Sequence, residues 1–178
     1  HTLFGDNCAA CHGVRGAGGP GFPDLAERAW LWGGSPEALF QTIRVGVNSE
    51  HPDSRVSEMA AWGAQGMLPR EAIVDAANYV YSLTHTDGTA TKQQLAAGAK
   101  VFADNCAACH GANARGNTEL GAPDLTDRHY LYGRDLQTIF ETIYHGRKGH
   151  MPTWEGRITD VDRKILTLLQ KDATMPVA

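Results

Sequence analysis

The sequence predicts an all-α fold arranged as two tandem domains. The chain repeats itself once along its length, and residue patterns that begin helices precede its apolar segments. Its 178 residues, of which 42% are hydrophobic, suffice for one ordinary domain or for two small ones. The repeat favours two small domains. Domains of this size need additional support to stay folded.

The repeat is clearest around the four cysteines. Residues 3–13 align with residues 101–111, and after a gap of eight residues, residues 59–62 align with residues 151–154. A short polar stretch separates the two copies and is typical of a linker. The predicted division is a first domain at residues 1–84, a linker at 85–90 and a second domain at 91–178.

The opening helix differs between the two copies. Thr91 and Gln94 form a capping box, and Phe102 lies on the apolar face of the helix that follows. The first copy keeps Phe4 at the matching position but begins inside the helix. We therefore expect a truncated first helix and a removed upstream segment.

The middle and closing helices have signals of their own. Ser35 and Pro36 supply an N-cap and a first-turn proline for a middle helix that Gly46 can end. Closing helices are expected from Pro69 to about Leu83 and from Thr159 to about Lys171. The second of these helices matches its counterpart poorly, so its register is not predicted.

All four cysteines lie in two copies of the pattern Cys-x-x-Cys-His. This spacing is the attachment signature of c-type haem, because two thiols about one helical turn apart can bond to the two vinyl groups of one porphyrin. The histidine that follows then lies beneath the iron as its proximal ligand. We therefore predict two covalently attached haem c groups, bound through Cys8, Cys11, Cys106 and Cys109, with His12 and His110 as proximal ligands.

Zinc, a redox dithiol and a disulfide are the competing interpretations of the cysteine pairs. Two pairs could supply four zinc ligands, but the histidine after each pair would then have no role. A thioredoxin-like dithiol needs a preceding strand, whereas the flanks here are predicted to be helical. Because covalent haem attachment takes place on the outer side of energy-transducing membranes, the bacterial periplasm is the expected location.

Each copy resembles the class I cytochrome c fold, a small all-helical domain around one haem. The resemblance implies that Gly98 lets the opening helix approach the closing helix, although a tolerated helical glycine, costing ~1 kcal/mol, is the local alternative. It also implies that the carbonyls of Pro23 and Pro123 accept the N–H groups of the proximal histidines. Ordinary turn prolines are the alternative.

The second iron ligand is expected to be methionine in both copies. Met59 and Met151 hold the same place in the repeat, and class I domains take their distal methionine from the loop after the middle helix. Met67 has no counterpart, and a bis-His site that uses His145 or His150 is the alternative for the second haem. His/Met ligation raises the reduction potential relative to bis-His ligation and leaves no open position for a substrate.

Six further residues are candidates for contacts with the haem propionates or the haem edge. They form three pairs, and the two residues of each pair occupy aligned positions of the repeat. Core packing is the alternative for the aromatic residues. The candidates are Arg28, Arg128, Trp32, Tyr132, Trp62 and Trp154.

The net charge of −4 arises in the first part of the chain. Residues 1–84 carry five arginines against nine acidic residues, whereas the rest carries eleven residues of each sign. No nucleic acid partner is therefore expected. An ordinary solvated surface is the simplest interpretation, and an entry site for a basic cytochrome around Glu50, Asp53 and Glu58 is a further hypothesis.

The loop sequences indicate which family of dihaem cytochromes the chain resembles. Residues 30–35 and 42–48 of the first copy, with residues 123–128 and 142–152 of the second, resemble the periplasmic part of the dihaem subunit of cbb3-type cytochrome c oxidase. The resemblance spans essentially the whole chain. Ala60 departs from it, since the family usually has proline after the distal methionine.

The resemblance implies a dihaem electron-transfer subunit that is not an enzyme by itself. Its electrons would come from a cytochrome c or the cytochrome bc complex and pass to the monohaem and haem-copper catalytic subunits. It would lie at the periplasmic face of the bacterial inner membrane, tethered by an upstream helix. A free dihaem shuttle of the cytochrome c4 type is the alternative, and a dihaem peroxidase, which needs one reactive iron, is a third possibility.

Overall fold

The computed structural model describes residues 2–27 and 29–171 of the chain. Within these residues the secondary structure consists of eight helices and isolated β-bridges, with no strand. The all-α prediction is therefore confirmed. None of the described helices is long and apolar enough to cross a lipid bilayer. The helices are α1 (Thr2–Asn7), α2 (Ala9–His12), α3 (Pro36–Val45), α4 (Arg70–Ser82), α5 (Lys92–Asn105), α6 (Ala107–His110), α7 (Leu136–His145) and α8 (Asp160–Lys171).

Side-chain caps begin α3 and α5 where the sequence predicts them. Ser35 Oγ accepts a hydrogen bond from the backbone N–H of Ala38 at 3.1 Å, and Pro36 is the first residue of α3. Thr91 and Gln94 form the predicted capping box at the start of α5. These bonds satisfy backbone N–H groups that have no partner within the helix, so the helix starts follow from local sequence.

The helices form two compact units that do not coincide with the two copies of the repeat. Unit 1 combines the residues up to Ser57 with those from Gly149 onwards, and unit 2 runs continuously from Glu58 to Lys148. In unit 1, α8 packs on α1 and α3; in unit 2, α4 packs on α5 and α7. Each unit therefore takes its closing helix from the other copy of the repeat.

The two units differ in their bounds from the predicted domains at residues 1–84 and 91–178, a division that stays a prediction. The predicted linker, residues 85–90, lies within unit 2 as the turn between α4 and α5. Tyr81 of α4 donates a hydrogen bond to Asp87 at 3.0 Å, and its ring stacks on His85 with 3.9 Å between the ring centroids. The chain instead passes between units at residues 57–58 and 148–149.

The length of one connection gives a physical reason for the exchange. Twelve residues separate Gly46 from Met59, but only four separate Gly146 from Met151. Four extended residues span at most about 14 Å. Short hinge loops favour the exchange of a segment over folding back on the same copy.

Two hydrophobic clusters follow the same grouping. The cluster of unit 1 contains the buried residues Phe4, Ile43 and Leu166. The cluster of unit 2 is larger and draws on α4, α5 and α7 together. Burial of each large apolar side chain contributes roughly 1.5–3 kcal/mol, so these clusters stabilise the exchanged arrangement. The buried residues of unit 2 are Ile73, Ala76, Ala77, Val80, Phe102, Ala114, Ile139, Phe140 and Ile143.

Gly98 permits a close approach between α5 and α4. A Cβ atom at this position would overlap the backbone oxygen of Asp75 and lie 2.8 Å from the Cβ of Tyr79. The expected approach of the opening helix to a closing helix is therefore present, but the closing helix belongs to the other copy of the repeat. Because the obstructing atoms include backbone, a neighbouring rotamer change cannot make room for a side chain.

Gly98→Ala is expected to destabilise unit 2 by roughly 1–3 kcal/mol, since the added methyl group overfills the interface. Gly5→Ala is the matched control, because Gly5 is also helical and a Cβ atom there would meet nothing within 4 Å. The control is expected to gain about 0.5–1 kcal/mol. Denaturant unfolding followed by far-UV circular dichroism measures both changes. Wild-type stability in Gly98→Ala would contradict the close approach.

Candidate haem-binding sites

Each unit contains one Cys-x-x-Cys-His motif whose histidine is oriented by a proline carbonyl. Nδ1 of His12 lies 3.1 Å from the carbonyl oxygen of Pro23, and Nδ1 of His110 lies 3.1 Å from that of Pro123. Because a carbonyl oxygen only accepts, Nδ1 is the donor in both rings, which leaves Nε2 as the nitrogen that can bind a metal. The expected role of both prolines is confirmed, and each histidine is prepared to bind a metal through Nε2.

The electrostatics of the motif favour neutral side chains. Burial lowers the pKa of His110 against the opposing effect of its hydrogen bond to Pro123, so the ring is neutral at neutral pH. Burial raises the pKa of Cys8, and it raises that of Cys106 to about 11, in both cases with a smaller contribution from the second cysteine of the motif. Reactive dithiols require a lowered thiol pKa, so the alternative of a redox dithiol is not supported.

The four cysteine side chains are free thiols, with Cys8 and Cys106 half-buried and Cys11 and Cys109 exposed. The disulfide alternative is therefore wrong for this structure. A zinc site needs converging ligands, and in residues 2–27 and 29–171 no three His, Cys, Asp or Glu side chains cluster so as to hold a metal ion. Two thiols and a neutral imidazole in one helical turn are instead the donor set that c-type haem requires.

The two candidate distal methionines are exchanged between the copies. Met151 packs in the cluster of unit 1 together with Cys8. Met59 packs in the cluster of unit 2 together with Cys106. Consecutive domains would have paired Met59 with His12, but the structure groups Met59 with the second motif and Met151 with the first.

Paired backbone hydrogen bonds hold each methionine segment against the end of a middle helix. In unit 2 the N–H of Met59 donates to the carbonyl of Arg147 at 2.8 Å, and the reverse bond is 3.0 Å. In unit 1 Met151 and Val47 exchange the same two bonds, each 2.9 Å long. The exchange therefore reproduces the same local geometry in both units.

Glycine is needed where these segments approach the middle helices. Gly46 and Gly146 end α3 and α7 with φ of 73° and 68°, in the left-handed region. A Cβ atom on Gly46 would overlap the carbonyl oxygen of Met151, and one on Gly146 would overlap that of Met59. The absence of a side chain at each glycine thus lets the methionine segment from the other copy pack against the helix end.

The tryptophan three residues after each methionine is exchanged in the same way. The N–H of Trp62 donates to the carbonyl of Ile143 at 3.2 Å, and that of Trp154 donates to the carbonyl of Ile43 at 3.2 Å. Trp62 packs against the cluster of unit 2, and Trp154 against that of unit 1. Both tryptophans are therefore partly buried residues that pack against the clusters, as the core-packing alternative predicts.

Other residues considered from sequence are less suited to bind iron. Met67 is 44% exposed in the loop before α4. His150 is exposed, and His145 is an exposed residue whose Nε2 lies 3.1 Å from Glu141. Of the two arginines predicted to contact the haem propionates or the haem edge, Arg128 is exposed. Arg28 lies outside the described residues.

Two arginines that the sequence reasoning missed lie beside the predicted aromatic candidates. The guanidinium of Arg55 lies over the ring of Trp32, and that of Arg147 lies over the ring of Tyr132. A sequence signal existed, because Arg55 and Arg147 each stand four residues before an aligned methionine. Extending that alignment by four residues would have found both.

The acidic residues proposed as an entry site do not form one free acidic surface. Glu50 pairs with Arg157 at 3.9 Å and Asp53 with Arg44 at 3.5 Å, both in unit 1. Glu58 belongs to unit 2 and pairs with Lys148 at 2.9 Å. Because each carboxylate has a cationic partner, the structure gives this hypothesis no support.

Asn48 holds both segments through which the chain leaves and re-enters unit 1. Its Nδ2 donates to the carbonyl of Ser57 at 2.8 Å and to that of Gly149 at 2.7 Å. Its Oδ1 accepts from the N–H of Ser57 at 3.1 Å. The backbone of Asn48 has φ of 48°, which asparagine tolerates better than most residues. Each contacted residue lies two positions before a candidate distal methionine.

Asn48→Ala is expected to lower the free energy of unfolding by about 3 kcal/mol, because three hydrogen bonds are lost and alanine is strained at positive φ. Asn48→Gly removes the same bonds without that strain, so it is expected to lose less. Thermal and denaturant unfolding compare the two variants with wild type. Unchanged stability in both would mean that Asn48 does not hold these segments.

Comparison with known proteins assigns the sequence of this chain to a family. A family model described as cytochrome c oxidase, cbb3-type, subunit III matches residues 1–80 and 93–168. The two matched segments correspond to the two copies of the repeat. They omit residues 81–92, which include the turn between α4 and α5.

Curated relatives carry the same description. The Cbb3-type cytochrome c oxidase subunit FixP of Bradyrhizobium sp. (strain ORS 278) is 53% identical over 169 residues, which are 94% of this chain and 57% of the relative. FixP of Bradyrhizobium diazoefficiens is 49% identical over 159 residues, 88% of this chain and 54% of the relative. CcoP of Cereibacter sphaeroides is 42% identical over 162 residues, which are 90% of this chain and 55% of the relative. The chain thus spans just over half the length of these relatives.

Proposed function

The chain belongs to the family of subunit III of cbb3-type cytochrome c oxidases, as its sequence predicted, and we propose that it is the dihaem electron-transfer part of such a subunit. It receives electrons one at a time from a cytochrome c or cytochrome bc complex. It passes them to the monohaem and haem-copper catalytic subunits at the periplasmic face of the bacterial inner membrane. An upstream helix tethers it there.

The observation that carries this proposal is the occurrence of a complete haem c donor set in each unit. In our proposal the haem of unit 1 is bound by Cys8 and Cys11 and ligated by His12 and Met151. The haem of unit 2 is bound by Cys106 and Cys109 and ligated by His110 and Met59. The matching surroundings of the two histidines and of the two methionines support this assignment.

Bound haem supplies a one-electron couple between ferric and ferrous iron. The chain's own residues set the conditions for that couple. The proline carbonyls fix the orientation of the imidazoles and increase their basicity. Thioether ligands favour the ferrous state relative to a second imidazole, and Met59 and Met151, which pack against the hydrophobic clusters, would supply them. With these residues as ligands, each site would hold its haem through the same two side chains in both oxidation states.

We further propose that the chain is not an enzyme by itself. With a histidine and a methionine on each iron, neither site offers a vacant position to oxygen or peroxide. Oxygen reduction then takes place on the catalytic subunit. A high-spin signal from either iron in the resting protein would contradict this and would favour a peroxidase.

The exchanged ligand pairing can be tested with chains that carry one haem. In Cys8→Ala/Cys11→Ala, where haem remains only in unit 2, Met59→Ala is expected to abolish the weak sulfur-to-iron absorption band, whereas Met151→Ala is expected to leave it. In Cys106→Ala/Cys109→Ala the two outcomes are expected to reverse. The opposite result in both backgrounds would establish the consecutive pairing instead. Covalent haem on a denaturing gel controls for maturation.

The proposed electron path can be tested in the complete oxidase. Replacing Cys106 and Cys109 by alanine in the full-length subunit is expected to reduce oxygen consumption driven by cytochrome c by at least about tenfold. Consumption driven by a small reductant that reaches the catalytic subunit directly is expected to persist. A haem signal from unit 1 controls for folding. Equal rates with cytochrome c would contradict the proposal, and recovery of the full-length protein free of other subunits would favour a cytochrome c4-type shuttle.

A further inference from the structure

The methionine segments of the two units carry different side chains. In unit 1, Thr153 and Glu155 follow Met151, whereas Ala61 and Gly63 occupy the aligned positions of unit 2. Threonine and glutamate have side-chain oxygens that accept hydrogen bonds, and alanine and glycine have no polar side-chain atom. At these two positions, side-chain hydrogen bonds can therefore hold the methionine segment of unit 1 but not that of unit 2.

The backbone bonds at the second of these positions are the same in both units. The N–H of Glu155 donates to the carbonyl of Arg44 at 3.1 Å, and the N–H of Gly63 donates to the carbonyl of Tyr144 at 3.1 Å. Arg44 and Tyr144 are aligned in the repeat. A Cβ atom at Gly63 would overlap the ring of Tyr144, so the ring fills the space that a side chain would need. The units therefore differ in what their side chains add to a common backbone geometry.

In unit 1 both carboxylate oxygens of Glu155 have side-chain partners. Nη1 of Arg44 lies 3.3 Å from Oε1, and Nε2 of His51 lies 2.5 Å from Oε2. The hydrogen bond to His51 is the largest cause that lowers the pKa of Glu155, and the bond to Arg44 is the second. The carboxylate is therefore ionised at neutral pH. Arg44, His51 and Glu155 together are called the polar network of unit 1 below.

The ring of His51 is oriented by the loop that contains it. This long loop, residues 47–58, has eight residues more than its counterpart at residues 147–150. The N–H of Asp53 donates to Nδ1 of His51 at 2.9 Å. Because a backbone N–H only donates, Nδ1 is the acceptor, and Nε2 is the nitrogen that donates to Glu155. Bonds within the long loop thus set the ring in place for the carboxylate.

Burial distinguishes His51 from an ordinary surface partner. Ion pairs on the surface contribute little, because water competes for both groups. The side chain of His51 is only 10% exposed, compared with 43% for that of Glu155. Loss of the carboxylate would leave a largely buried N–H group without its acceptor, which costs more than the loss of an exposed pair.

The polar network joins three parts of unit 1. Arg44 lies in α3, His51 lies in the long loop, and Glu155 comes four residues after Met151. In unit 2 the residues aligned with Arg44 and Glu155 are uncharged, and the corresponding loop is eight residues shorter. The network is therefore a property of unit 1 and of its long loop.

We propose that the polar network fixes the methionine segment of unit 1 and thereby slows the departure of Met151 from the iron. This inference rests on the proposed function, in which Met151 is the distal ligand of unit 1. Because only four residues separate Met151 from Glu155, movement of the methionine away from its site pulls on the bonds of the network. Arg44 and His51 are therefore positioning residues that act through Glu155.

The test measures how fast imidazole displaces the methionine from ferric iron in the haem-loaded protein with Cys106→Ala/Cys109→Ala, which keeps haem only in unit 1. Loss of the sulfur-to-iron band follows the displacement. Glu155→Ala and His51→Asn are each expected to raise the rate about tenfold, since each removes a hydrogen bond to a charged group. Asparagine can still accept the N–H of Asp53 two residues on, so the long loop keeps its own bonds. A sulfur-to-iron band before imidazole is added controls for folding.

Glu50→Gln is the matched control. Glu50 also belongs to the long loop and pairs with Arg157 of the same unit, but at 3.9 Å and with its side chain 66% exposed. Its replacement is expected to change the rate by less than about twofold. The double variant His51→Asn/Glu155→Ala is expected to stay within about twofold of the faster single variant, because both changes remove the same interaction.

The same variants are expected to leave the displacement of Met59 unchanged in Cys8→Ala/Cys11→Ala, where haem remains only in unit 2. Wild-type rates in both Glu155→Ala and His51→Asn would overturn the inference. So would an equal rise in Glu50→Gln, an equal rise in unit 2, or additive effects in the double variant. If unit 1 binds haem covalently without a sulfur-to-iron band in wild type, the proposed ligand set is wrong. If that band is present and the rates do not respond, only the inference about the polar network is wrong.

Discussion

The structure depends on a reciprocal pairing in which the backbone of each methionine segment binds the end of the middle helix from the other copy. Met59 pairs with Arg147, and Met151 pairs with Val47. Each hydrogen bond contributes about 1 kcal/mol, so the pairing sets the register more than the stability. Most of the stability comes from burial of α4 against α5 and α7 and of α8 against α1 and α3.

Features encoded in a few adjacent residues could be predicted from the sequence. The caps at Ser35 and Thr91 begin helices where expected, because a side-chain oxygen and a backbone N–H three residues later are local partners. The donor sets of the haem motifs were also predictable, since cysteine spacing and the following histidine lie within one turn. Even the carbonyl of Pro123, thirteen residues from its histidine, followed from the resemblance to class I cytochromes c.

The grouping of segments could not be predicted from these signals. Both copies carry a methionine segment and a closing helix, so local patterns are equally compatible with consecutive and exchanged domains. Among the sequence features, only the short connection between Gly146 and Met151 favours the exchanged grouping. Whether a connection of that length forces the exchange depends on the three-dimensional path of the chain. A sequence signal did exist for Arg55 and Arg147, since both stand four residues before an aligned methionine.

The exchange also sets the order in which the units become complete as the chain is made. Unit 2 is a continuous stretch from Glu58 to Lys148, so all of its parts are available once that stretch has emerged. Unit 1 starts first but waits for Met151 and α8, which come last. A nascent chain therefore presents the first Cys-x-x-Cys-His motif long before the methionine segment that packs in the same unit.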